Sequence, residues 1–95
     1  MEQPRRLIRH YEVMTWISDL TSRIAEASGI DAGALEIDAA DAETLLRLAG
    51  IAAHSSGERV NAPLLCHVLG RAVALGAPLG QLASVVEGTA ARGND

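Results

Sequence analysis

The chain reads as an all-α domain, a compact bundle of four short helices. Three observations predict this. Apolar residues recur at helical spacing in four segments. Good caps and stops separate those segments. The core-forming composition is Leu, Ile, Val and Ala, with no Phe, one Trp and one Tyr. Alanine is the strongest helix former and a weak strand former, so an Ala-rich chain with few aromatics favours closely packed helices.

The first helix is expected over about Glu12–Ser28. Val13, Ile17, Leu20 and Ile24 form its apolar stripe, with Trp16 beside it. Asp19, Ser22, Arg23 and Glu26 fall mainly on the wet side. Asp19 and Arg23 are spaced for an i,i+4 ion pair worth about 0.3 kcal/mol. Gly29 supplies the stop. Residues 30–37 then read as a connector whose Ile30, Leu35 and Ile37 tuck into the core.

The second helix is expected over about Ala39–His54. Asp38 suits the N-cap, and Asp41 suits the positive end of the helix dipole. Leu45, Leu48, Ala49 and Ala52 form the stripe, widened by Leu46 and Ala53. Gly50 costs about 1 kcal/mol relative to Ala in a helix interior, and a close neighbouring helix would be the reason for it. Residues 55–60 form a polar turn.

The third helix is expected over about Ala62–Leu75. Asn61 is its expected N-cap, and Pro63 sits in the first turn, where a missing N–H does no harm. Leu65, Val68, Leu69 and Ala72 form the stripe. Gly70 and Ala74, four apart, suggest a tight helix crossing. Gly76 followed by Pro78 ends this helix and starts the fourth, over about Pro78–Ala91, with Leu79, Leu82, Val86 and Ala90 facing inward. Short connections imply antiparallel neighbours.

Ninety-five residues suit one domain, and a domain this size buries roughly two-thirds of its unfolded surface. The single domain is expected over residues 14–92. Residues 1–13 carry three of the eight arginines, Arg5, Arg6 and Arg9. They read either as a basic arm or as an extension upstream of a start at Met14. A solvated tail is the simpler reading of that arm than a contact with nucleic acid or an acidic surface. All eight basic residues are Arg and none is Lys, as expected of a GC-rich genome such as an actinobacterium's.

The formal net charge of −4 and the lack of aromatic platforms argue against nucleic-acid binding, which needs a basic surface. A lone cysteine, Cys66, excludes an internal disulfide and fits a reducing cytoplasm. Leu7-Ile8 is too short for a signal-peptide core. The most apolar stretch, 62–80, carries His67 and Arg71 near its centre, so a membrane span is not expected.

Chemistry-bearing residues gather at the second turn: His54, Glu58, Arg59, Asn61, Cys66 and His67. Metal binding is disfavoured because Cys66 and His67 are adjacent on a helix, about 100° apart, and a fourth ligand is not evident. Cys–His nucleophilic catalysis lacks an oxyanion site and an orienting third group. The plain reading makes Cys66 a small packed residue and His67 a surface one. His54 is then a cation at a helix C-terminus, and Arg59 pairs with Glu58 or with a carboxylate on another helix. No phosphate-binding loop is present, and capping accounts for Asp38, Asp41 and Glu43. No catalytic residue, metal site or cofactor is expected. His54, Arg59 and Asn61 remain as a candidate interaction or anion-binding surface.

Some residues carry a family resemblance: Trp16-Ile17, Leu45-Leu46-Arg47-Leu48-Ala49, Ala53-His54, Arg59, Asn61-Ala62-Pro63-Leu64 and Gly70. Over roughly residues 14–90 the chain resembles a small actinobacterial helical domain family of unknown function. That family occurs alone or fused to molybdenum cofactor guanylyltransferase. The resemblance implies no activity. It implies a context, molybdenum cofactor maturation, with a biosynthesis protein of that cofactor or a molybdoenzyme as partner. The expected function is thus a non-enzymatic accessory or interaction module. Two alternatives stay open. One is a small-ligand domain that binds a nucleotide or pterin through Arg59. The other is a structural homodimer joined through Gly70 and Ala74.

Overall fold

A computed structural model describes the backbone of residues 5–93 and the side chains of residues 15–89. The expectations for the arm side chains Arg5, Arg6 and Arg9, for Val13, for Ala90 and for the C-terminal tail fall outside the described side chains. The described residues are all-α. They form five helices, four long and one of a single turn: α1 (Arg5–Ser28), α2 (Ala32–Leu35), α3 (Ala39–Ser56), α4 (Asn61–Ala74) and α5 (Leu79–Gly93). No strand occurs among them. Two compact units result, residues 1–37 and residues 38–95.

In the first unit, α1 begins at Arg5, seven residues earlier than expected. It ends where the sequence places its stop. Gly29 adopts a positive φ, and its N–H donates to the Ala25 carbonyl at 2.9 Å. The buried face of α1 only partly follows the expected stripe. Ile17 is half-buried as expected, but Leu20 and Ile24 are exposed, as is Trp16 beside them, while Ala25 is buried and Thr21 half-buried. The exposed and buried sets are offset by one residue, or 100° around the helix. Asp19 and Arg23 do not pair; the ion pair among the described residues is Arg47–Glu87, between α3 and α5. The expected connector contains the single turn α2, and of the three residues expected to tuck into the core only Leu35 is half-buried. Ile30 and Ile37 are exposed rather than tucked into a core.

In the second unit, α3 is the middle helix and packs against both α4 and α5. Asp38 caps α3 as its short acceptor side chain predicts, its Oδ1 accepting from the Asp41 N–H at 2.7 Å. The helix runs to Ser56, two residues beyond expectation. It leaves through Gly57 at φ 75°, whose N–H donates to the Ala53 carbonyl at 3.0 Å. The Ser56 hydroxyl helps this exit. It donates to the Ala52 carbonyl at 2.6 Å and accepts from the Glu58 N–H at 3.1 Å.

α4 starts differently from expectation. Asn61 is not its N-cap but its first residue; Val60 occupies the cap position in helical conformation, with no side-chain cap. The physical reason lies in the turn before it. The Glu58 and Arg59 carbonyls accept from the Asn61 and Ala62 amides, both at 3.1 Å, so a tight i→i+3 turn winds directly into the helix. Pro63 falls in the first turn as predicted. α4 closes with a complete Schellman arrangement. The Gly76 N–H donates to Val73 at 2.9 Å, the Ala77 N–H donates to Ala72 at 3.0 Å, and Gly76 has φ 109°. The Pro78 carbonyl then accepts from Gln81 and Leu82, opening α5.

The core of this unit is small. Leu48 is completely buried, and Leu69 and Ala83 are nearly so; Leu45, Ile51, Leu65, Leu82 and Val86 pack around them. The predicted stripes supply most of this set. Of the remaining members, Leu46 and Val68 are largely exposed. Ile51 and Ala83 take part without having been expected. Among the described residues, the close approaches expected at Gly50 and Gly70 are not found either: a Cβ added at either position would meet nothing within 4 Å.

Candidate functional site

The α3–α4 turn places His54, Arg59 and Asn61 within one short stretch of chain, but in different surroundings. His54 lies in the last turn of α3, where an imidazolium would face the final carbonyls, and it is exposed. Arg59 is exposed and makes no ion pair with a described residue, so the expected pairing with Glu58 is not formed. Asn61 is half-buried and joins the lining of a groove. The anion-binding capacity of the α4 N-terminus is reduced by its own turn, because the Asn61 and Ala62 amides already donate to carbonyls.

The groove itself is the feature that one-helix periodicity could not show. It has a volume of about 550 Å³ and draws on three helices. Ile51, Ala52, Ser55 and Ser56 come from α3; Asn61, Leu64, Leu65 and Val68 from α4; Val85, Val86 and Thr89 from α5. Its deeper side is continuous with the core, since Ile51, Leu65 and Val86 also pack around Leu48 and Leu69. Its open side is apolar: Leu64, Val68 and Val85 are 62%, 59% and 63% exposed. No charged residue among those described lines it. Leu64 and Val68, and likewise Val85 and Thr89, are four apart, so each pair forms one edge of its helix. Sequence periodicity places Val68 in the core stripe of α4, so the groove edge it forms with Leu64 is not read from the sequence.

A second, polar cleft of about 410 Å³ lies in the first unit, lined by residues of Thr15–Ser22 and by Ala32, Glu36 and Ile37. Its carboxylates, Asp19 and Glu36, are both exposed. Two of its hydroxyls are engaged with their own helix, Thr21 donating to Ile17 and Ser22 to Ser18.

Among the described residues no group of three His, Cys, Asp or Glu side chains is arranged to hold a metal ion. Cys66 is half-buried and the adjacent His67 exposed, the arrangement that packing alone predicts. No buried side-chain nitrogen or oxygen among them lacks a hydrogen-bond partner, so no orphaned polar group is aimed into either cavity. No helix among the described residues is long and apolar enough to cross a membrane. Compared with protein-family models, with curated proteins and with solved structures, the chain matches none.

Proposed function

We propose that this chain is a non-enzymatic, cytoplasmic interaction module whose docking surface is the α3–α4–α5 groove, and that the groove receives an amphipathic helix of a partner protein. The single observation that carries this reading is the uncharged apolar groove bounded by Leu64, Val68 and Val85. A groove between helices, floored by core residues and open along its length, suits the helix-in-groove mode, in which residues at i, i+3/i+4 and i+7 anchor the incoming helix. Its lack of charge disfavours a phosphate-bearing ligand, which needs cationic or amide donors directed at it. Asn61, Ser55 and Ser56 give the groove a polar end beside His54 and Arg59, a rim able to fix the direction of an incoming helix.

The partner class rests on the resemblance described above. Trp16, Ala53-His54, Arg59, Ala62-Pro63-Leu64 and Gly70 resemble the pattern of a family found fused to molybdenum cofactor guanylyltransferase. That enzyme, or a molybdoenzyme it serves, is the proposed partner. The test is a titration of isotope-labelled chain with purified molybdenum cofactor guanylyltransferase, read by amide shifts. Shifts centred on Leu64, Val68 and Val85 are expected. Binding that leaves those three unmoved rejects the groove; absence of any binding rejects this partner.

A further inference from the structure

α1 carries an apolar face that its own unit does not cover. Trp16, Leu20 and Ile24, spaced i, i+4 and i+8, are exposed, Trp16 by 63%. Arg23, three residues beyond Leu20, borders this stripe at its edge, and no charged residue among those described lines the groove of the second unit. The two surfaces also match in length. The stripe spans about 12 Å of helix and the α4 side of the groove, Asn61 to Val68, about 10 Å, at 1.5 Å per residue. We propose that the resting state of the groove is occupation by α1 of a second copy of this chain, in a two-fold exchange in which each copy gives a helix and receives one. This inference rests on the reading of the groove as a helix acceptor, and it adds a regulation: a partner helix must compete with self-association.

Two arguments favour a second copy over an unrelated helix. Each chain supplies both faces, and a two-fold exchange covers all four at once and closes, leaving no sticky end to propagate. The area is also compatible. From their fractional exposures, Trp16, Leu20 and Ile24 of one copy with Leu64, Val68 and Val85 of the other present at most roughly 700 Å² per exchange, so two exchanges with complete burial reach at most roughly 1,400 Å², at the lower end of the roughly 1,200–2,000 Å² of specific interfaces.

The test is the mass of the full-length chain by sedimentation equilibrium, for the wild type, Trp16→Glu and Val68→Arg. Both substitutions are at exposed positions, and helicity by circular dichroism checks folding. The wild type is expected at twice the 9.9 kDa chain mass and each variant at the single-chain mass. An equimolar mixture of the two variants is expected to recover the dimer. In that mixture one exchange is entirely wild type, and the other sets the two introduced charges, of opposite sign, against each other as an ion pair. A general folding defect would not be repaired by mixing. A wild type that stays at single-chain mass to millimolar concentration overturns the proposal, and so does a dimer indifferent to both substitutions. The Trp16→Glu chain keeps the groove intact, so its titration with the guanylyltransferase reads the groove separately. Shifts at Leu64, Val68 and Val85 there would uphold helix docking even if self-association failed.

Discussion

Leu48 is the side chain on which the second unit depends most, because it is the one large residue among those described with no exposure at all. Leu48→Ala removes its contacts with α4 and α5 together and is expected to cost about 2–5 kcal/mol, measured by urea denaturation. In a unit with so small a core this is enough to unfold much of the population. The helical glycines behave in the opposite sense. At Gly50 and Gly70 an added Cβ meets nothing, so Ala brings only its higher helix propensity. Each replacement by Ala is expected to stabilise by about 0.5–1 kcal/mol, read as a raised denaturation midpoint. Gly57 is open too, but its φ of 75° reverses the outcome, and Gly57→Ala is expected to destabilise by about 1 kcal/mol or more. The contrast tests the fold directly, since the same substitution carries opposite signs at sites of equal steric freedom. It also marks a limit of sequence reading. Composition and position identify a mid-helix glycine as costly, but whether a neighbouring helix presses on it depends on crossings that the local sequence does not contain.

At the scale of the element, several ends were legible and the faces only partly so. Asp38, Gly29 and the Gly76–Pro78 pair act through backbone groups within a few residues of themselves, so local chemistry is enough to place them. Asp38→Ala is expected to cost about 1 kcal/mol by leaving the Asp41 amide without its acceptor, a loss visible as fraying of α3 in hydrogen exchange. Asn61 misled because the same local rule has a competitor. A tight turn satisfied the first amides of α4 through carbonyls, and a side-chain cap was not needed. The faces are harder, because periodicity defines a stripe but not its edges. Ile51 and Ala83 joined the core while Leu46 and Val68 did not, as decided by where α4 and α5 lie on α3. For the same reason the groove could not be read in advance, being a product of three helices, whereas the polar turn beside it could. The Arg47–Glu87 pair links α3 to α5, but both side chains are about half exposed. A double-mutant cycle with Ala at both positions is expected to give a coupling below about 1 kcal/mol, so the α3–α5 contact rests on its apolar face.

At the scale of the whole molecule, the second unit draws its core entirely from residues 45–86 of its own helices. A fragment spanning residues 38–95 is therefore expected to be helical and to melt cooperatively on its own. Domains of about 60 residues can do this, though they bury only about 60% of their unfolded surface and keep a narrow margin. The full chain adds α1 and, if α1 docks into the groove of a second copy, a dependence on concentration that the fragment lacks. Dimer formation favours the folded state by mass action, so the melting temperature of the full chain should rise with protein concentration. The fragment retains the groove but has no α1 to exchange, and its melting temperature should stay constant over the same range. Adding a synthetic peptide of residues 12–28 to the fragment should then raise its melting temperature, with the logarithm of peptide concentration once the groove is saturated, because the peptide binds the folded groove and not the unfolded chain. A concentration-dependent fragment would place self-association within α3–α5 themselves. An unresponsive fragment with a responsive full chain, rescued by the peptide, would locate it in α1 and the groove.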